Sequence, residues 1–266
     1  MALDFCHTAL LHFVHIVLWV RLYLWTLVSR FISKHIGLCI GEQRKLSAER
    51  CRIDSKNLPK LPLHIGLQIL ENRISDEDVA NLLVWCIAMG FQYVSLFDDE
   101  GYFKKNPSKL RDVMQKKMAA ILESNRLVFH IETPVRNGER SVKVTTTTKE
   151  TLQDTKSTRI ALMSCEDGRG DILESARRLC QDVADKRYRA SEIGITNLDQ
   201  VMNSLLDYPD PDLIIQFGQV NSLLGYSPWK IRVTEILSVP THHGMNYQSF
   251  IDVLHSYSKT QQRYGK

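Results

Sequence analysis

The chain closes on Arg263-Tyr264-Gly265-Lys266, where residue types suited to anion chemistry stand together. A guanidinium forks onto phosphate oxygens, and a glycine two residues later leaves its backbone N–H open to close approach. Arg-x-Gly is common by chance, and without context it reads as a basic tail. Other patterns invite weaker chemical readings. Arg169-Gly170-Asp171 stands at a predicted helix start, where Asp171 is expected to act as an N-cap. His242-His243 has the ligand type for a transition metal, but adjacent residues on an extended segment point apart and no third ligand is evident; a surface pair is expected. Cys6, Cys39, Cys51, Cys86, Cys165 and Cys180 show no C-x-x-C spacing, which argues for reduced thiols over a disulfide framework or zinc site. No P-loop, dinucleotide fingerprint or zinc-protease spacing is present.

The elements that must position these groups alternate from about Leu61 onward. Leu63 to Leu70 is an apolar run suited to a buried strand; Ser75, with Asp78 three residues on, opens a helix that runs through Val79–Met89 to Gly90. Phe91–Phe97 is the next strand, and Asn106-Pro107 starts a helix carrying Leu110, Val113, Met114, Met118, Ile121 and Leu122 at three-and-four spacing. A short strand over Arg126–Glu132 precedes a polar stretch, Thr133–Thr158, read as a surface insertion. Strands over Arg159–Ser164, Leu213–Phe217 and Ile231–Leu237 then alternate with helices from Asp171, from Thr196 and over Asn246–Gln262. This order predicts an α/β domain over residues 61–266, a mostly parallel central sheet flanked by helices, with a basic polar linker at residues 34–60.

The spacing of residues 210–235 resembles a pyrophosphate-binding segment of the cis-prenyltransferases, Asp-Leu-x-Ile-Arg-Thr-x-Gly-Glu-x-Arg-x-Ser followed by a Trp and a Glu. Gly218, Trp229 and Glu235 fall at matching positions. Gln216 and Ser222 stand in place of the two arginines and Leu224 in place of the serine. The family opens its domain with Pro-x-His and, further on, Asp-Gly-Asn; Pro62, His64 and Asn72 match. Leu70 takes the place of the aspartate that positions magnesium–diphosphate, and leucine offers no oxygen to a hard cation. Glu71, one residue later, is expected to point the other way. Asp167-Gly168-Arg169 partly retains a Gly-Gly-Arg turn. The resemblance therefore implies the family's fold without its diphosphate-holding side chains.

It implies further what the family's accessory subunits do in two-subunit eukaryotic synthases. Arg263, Tyr264 and Gly265 would reach across a dimer interface to the partner's isopentenyl diphosphate, and the partner would supply the aspartate, Mg2+ and the tunnel that measures the growing chain. The product implied is a long cis-polyprenyl diphosphate, precursor of the dolichol used as glycan carrier. Trp229, Ile231, Val233 and Glu235 lie near the family's dimer contact and are the expected partner interface, with core packing as the alternative. This chain itself is expected to hold no metal. A membrane receptor or scaffold that keeps the fold only for binding is the second reading. A self-sufficient homodimeric synthase is opposed by Leu70 and Gln216.

From about Ala9 to Ile32 the chain is mostly apolar, long enough at about 1.5 Å per residue to cross a core of roughly 30 Å. His12, His15 and Arg21 interrupt it, and Trp19, Tyr23 and Trp25 also suit a helix lying in the interface; spanning by residues 1–33 is the favoured reading. Positive charge follows at Arg30, Lys34, Arg44, Lys45, Arg50 and Arg52, which places the large domain on the cytosolic side. With the implied synthase, the expected location is the endoplasmic reticulum membrane. A net charge of +4 concentrated after the apolar run, without a stripe of interleaved aromatics, argues against a nucleic-acid partner.

Overall fold

The computed structural model describes residues 12, 14–21, 23–24, 46–122, 128–133, 144–145, 157–205, 208–220, 222–223 and 225–261. They fall in two compact units, residues 1–44 and 45–266. In the first, residues 14–21 are helical (α1), and Trp19 stacks on Tyr23 with ring centres 5.6 Å apart. Among the described residues no helix is long and apolar enough to cross a membrane.

The second unit opens with a helix where the sequence suggests a linker. α2 (Ala48–Asn57) is capped by Ser47, whose Oγ accepts the Arg50 N–H at 3.2 Å, and it buries Cys51. Its mean polarity hides it from a hydropathy reading, because only one side touches the core. β1 (His64–Ile69) leads to α3 (Asp76–Met89), which starts at the Ser75 cap and stops at Gly90, where φ of +86° favours glycine. α3 is buried nearly all round, so it is the central helix of the larger core. β2 (Tyr93–Asp98), a single turn α4 (Tyr102–Lys105) and α5 (Pro107–Leu122) follow, with Pro107 at the first helical position.

β3 (Phe129–Glu132) pairs antiparallel with β4 (Val144–Thr145), which lies inside the expected insertion; most of that insertion is outside the described residues. β5 (Thr158–Met163) precedes α6 (Arg169–Ala184) and α7 (Ile195–Leu205). Asp171 sits within the first turn of α6 and the N-cap is Gly168, which corrects the expectation for Asp171. β6 (Leu213–Phe217), β7 (Glu235–Val239) and α8 (Tyr247–Lys259) complete the unit. β7 begins at Glu235, four residues later than expected, because residues 228–234 turn first and Glu235 N–H is the group that reaches Asp212 O at 3.0 Å.

The sheet order is β4-β3-β5-β2-β1-β6-β7, with every pairing parallel except β3 with β4. Alternation sorts its residues. Ile65, Leu67, Ile69, Val94, Leu96, Ile160, Leu162, Leu213, Ile215 and Phe217 join α3, α5 and α8 in one large apolar cluster. Phe97, Ala161, Met163 and Ile214 turn the other way and form a smaller cluster with Tyr208 and Tyr226. His64, Gly66, Gln68, Ser95 and Gln216 share the parity of that second face, and all the buried polar side chains of β1, β6 and the middle of β2 lie there.

Candidate functional site

Adjacency of β1 and β6 brings together motif positions almost 150 residues apart in sequence. Leu70 N–H donates to Phe217 O at 2.9 Å, and a Cβ built on Gly218 would stand 3.3 Å from Leu70 Cβ. Gly218 has φ +135°, a conformation that side chains strain against. This is the carboxyl rim of a parallel sheet, the usual place for ligands in open α/β folds. Here the rim is occupied by the protein itself.

Gln216 and Gln68 are buried side by side. The Gln216 amide NH2 donates to Gln68 Oε1 at 3.2 Å and to the Ser222 carbonyl at 2.6 Å, and Ser238 Oγ–H donates to Gln216 Oε1 at 3.2 Å. Gln68 in turn donates to the Leu223 carbonyl at 2.7 Å. A pair of neutral amides thus binds two backbone carbonyls of the loop after β6. Donors spent on carbonyl dipoles are not available to a diphosphate, and they bring no positive charge. The same loop leans on the turn after β5: a Cβ added to Gly168 would lie 2.0 Å from Gly225 O, so glycine is required for that approach.

The start of α3, a place where helix N–H groups could face an anion, is also closed to one. Ser75 Oγ accepts the Asp78 N–H at 3.3 Å, and Asp76, Glu77 and Asp78 fill the first turn. Lys109 and Tyr102 Oη hold Asp76 at 2.6 and 3.0 Å, and Lys117 holds Glu77 at 2.8 Å. Across the rim, Lys104 forks onto the fully buried Asp167 at 2.8 and 3.0 Å, and Asp98 caps the N–H groups of Tyr102 and Phe103. Burial pushes the Asp98 carboxyl up, against those backbone hydrogen bonds. Lys104, Lys109 and Lys117 are thus already matched by the chain's own acids.

Glu71 turns toward the loop after β7. It accepts from Thr241 Oγ1 at 2.6 Å, from His242 N–H at 2.8 Å and from His242 Nδ1. Burial alone would raise its pKa, but the hydrogen bonds from His242 and Thr241 outweigh it and hold the carboxyl below its ordinary value. His242 is wholly buried, and its ring lies 4.1 Å from that of His243, with Glu71 within reach of both. The expectation of a surface pair pointing apart is therefore overturned, because the segment turns at residues 242–244 rather than staying extended. Proximity does not make a metal centre. His242 Nδ1–H is given to Glu71 and its Nε2 lone pair accepts Ser75 N–H at 3.0 Å, so a cation at Nδ1 would need an imidazolate.

The family's fold implies a magnesium–diphosphate at the end of β1, and the residues present do not fit it. Leu70 has no oxygen, Glu71 already accepts three hydrogen bonds, and the neighbouring amides serve the loop carbonyls.

Beneath this rim lies a buried relay that sequence reading missed. His64 Nδ1–H donates to Pro209 O at 2.6 Å, which leaves Nε2 to accept from Ser95 Oγ at 3.0 Å, while Tyr226 Oη–H donates to Ser95 Oγ at 2.7 Å. Burial pushes His64 down to about 4, with the Pro209 hydrogen bond opposing and Lys230 adding to the shift. The neutral imidazole pins both ends of the segment from residue 209 to residue 226 to the sheet. Parity with Gln68 along β1 was the available signal.

Of the expected interface residues, Trp229 is half-buried and its Nε1–H donates to Asp199 at 2.5 Å. Ile231 packs against the smaller cluster, Glu235 is half-buried at the start of β7, and Val233 is exposed. β7 pairs with β6 and with no other described strand. Leu224, Arg263, Tyr264 and Gly265 lie outside the described residues.

A family model described as Prenyltransf, putative undecaprenyl diphosphate synthase, matches residues 72–265. The chain belongs to this family. Among prenyltransferase-family relatives, the dehydrodolichyl diphosphate synthase complex subunit NUS1 of Homo sapiens is 36% identical over 219 residues, 82% of this chain and 71% of that one. The chain is thus similar to subunits of the NUS1, or Nogo-B receptor, type. The corresponding subunit of Schizosaccharomyces pombe is 25% identical, covering 82% of this chain and 83% of its own. A bacterial ditrans,polycis-undecaprenyl-diphosphate synthase from Coxiella burnetii matches a shorter stretch, 30% identical over 37% of this chain and 41% of its own. In structure, lavandulyl diphosphate synthase from Lavandula x intermedia superposes with a TM-score of 0.54 at 15% identity, over 77% of this chain and 98% of that one. A probable undecaprenyl diphosphate synthase from Campylobacter jejuni gives 0.51 at 16% identity, over 78% and 100%. These two structures show that the prenyltransferase-like sheet and helices are shared.

Proposed function

We propose that this chain is a non-catalytic but activating subunit of a two-subunit cis-prenyltransferase, a dehydrodolichyl diphosphate synthase. The assembly condenses isopentenyl diphosphate onto farnesyl diphosphate to make the long polyprenyl diphosphate needed for dolichol and protein glycosylation. The observation that carries the reading is the self-occupied rim, where Gln68 holds the Leu223 carbonyl and Gln216 the Ser222 carbonyl. A chain whose own donors are spent on its backbone contributes to diphosphate chemistry through another surface. Arg263 and Gly265, with Tyr264 between them, are that surface: the guanidinium and the glycine N–H bind isopentenyl diphosphate in the partner's pocket. Mg2+ is held there by the partner's carboxylate.

The partner docks on Trp229, Ile231, Val233 and Glu235, next to β7, which pairs with no further described strand; Val233 is exposed there and the other three are half-buried. Residues 1–33 anchor the assembly in the endoplasmic reticulum membrane, with the folded unit in the cytosol.

The test is isopentenyl incorporation by each purified subunit and by the mixture. Activity only in the mixture is expected, with Arg263→Ala lowering its turnover at least tenfold while the two chains still co-purify. Unchanged turnover in that variant would favour a membrane receptor or scaffold that keeps the fold for binding alone. Polymer synthesis by this chain alone would overturn both readings.

A further inference from the structure

We propose that the outward face of α2 is a contact surface for anionic phospholipid headgroups, an inference that rests on the membrane-anchoring reading above. The helix divides by residue spacing. Cys51 and Leu58 are buried and Asp54 and Ser55 half-buried, whereas Glu49, Arg52, Ile53 and Lys56 recur on the other side and are exposed. Arg50 lies 3.8 Å from Asp54, but Arg52 and Lys56 have no acidic partner among the described residues. Ile53, 51% exposed, stands one residue after Arg52 and three before Lys56 on this outward side.

An exposed isoleucine within one helical turn of two cations suits a headgroup boundary, where the apolar tip enters the acyl edge and the charged heads stay with phosphate. Two features of the chain favour lipid as the occupant. The basic residues Arg30, Lys34, Arg44 and Lys45 precede the same helix in sequence, so positive charge is concentrated in the stretch of chain that leads to it. The apolar segment ends near Ile32, and the residues from there to Ala48 can span at most roughly 55 Å when extended. A surface tethered that closely meets headgroups at a high effective concentration, and a weak contact is then enough. Glu49 on the same face limits the strength of the contact, and Arg52 and Lys56 make it sensitive to lipid charge.

The test uses the full chain reconstituted into phosphatidylcholine vesicles with either no phosphatidylserine or 30 mol% (about the charge density at which polybasic contacts respond). A photo-crosslinking benzophenone side chain replaces Ile53, and a parallel chain carries it at Ile195 as a control. The expected result is a phospholipid adduct at position 53 that rises several-fold with phosphatidylserine. It falls several-fold in Arg52→Gln/Lys56→Gln and at high salt, where screening shortens to a few ångström. Position 195 should show no such dependence. A chain that floats with the vesicles but gives no lipid adduct at position 53, gives one indifferent to lipid charge, or crosslinks there to protein would overturn the inference alone. A chain that does not float would overturn the anchoring reading and this inference with it.

Discussion

The two faces of the central sheet are made from the same strands, yet they differ in kind. The face toward α3, α5 and α8 is aliphatic along β1, β2, β5 and β6, and it closes a core that any α/β domain of this size requires. The face toward Tyr208 and Tyr226 interleaves apolar residues with His64, Ser95, Gln68 and Gln216, every one of them hydrogen-bonded. The difference separates what holds the domain together from what distinguishes it within its family. Stability rests chiefly on the first face, and the fate of the diphosphate rim on the second.

Substitutions can sharpen that contrast. Leu67→Ala on the aliphatic face should cost about 2–5 kcal/mol, from lost transfer and a residual cavity. Urea unfolding should show the same loss at every pH, with the relay below untouched. On the polar face the largest effect should depend on pH. His64 titrates at about 4 when folded and near 6.5 when unfolded, so its contribution is complete above pH 6.5 and is lost as the medium acidifies toward 4. Between pH 6.5 and 4.5 the native chain should lose about 2–3 kcal/mol relative to His64→Gln, which has no such group to charge. Glu71, with its lowered pKa, adds a loss only below 4.5, while the raised Asp98 works in the opposite sense. Identical pH slopes for the two proteins would remove His64 from the relay.

Gly66→Ala tests the same face sterically. The added Cβ would lie 2.9 Å from Ile214 Cγ1, 3.2 Å from Tyr226 Oη and 3.3 Å from Ser95 Oγ, so a loss of about 1–3 kcal/mol is expected in thermal or denaturant unfolding. Smallest should be Gln216→Leu, at about 1–2 kcal/mol, because it strands the Ser222 carbonyl and one Gln68 oxygen lone pair. Its signature is local: faster hydrogen exchange at residues 222–226 with the rest of the sheet protected. Global loss of protection would show that the amide pair supports the fold rather than the rim.

Much of the architecture was legible because it follows from local rules. Ser75 and Gly90 bracket α3, Pro107 starts α5, and the parallel order follows from strands that alternate with helices. α2 was not legible, since a short helix with a single buried face looks like a polar linker until the core it touches is known. Asp171 was misread because a cap is defined by where the chain turns, and Gly168 turns first. His242 and His243 were misread for a similar reason: the turn at residues 242–244 brings their rings together and aims Nδ1 of the first at Glu71.

Residue identity by itself determined that positions 70 and 216 carry neither a carboxylate nor a guanidinium, since leucine and glutamine cannot become either in any fold. What fills the rim was decided only by tertiary structure. Hydrogen-bond partners of a buried amide are set by which strands are neighbours and which way a loop returns, and here β1 beside β6 gave Gln68 and Gln216 the carbonyls of Leu223 and Ser222.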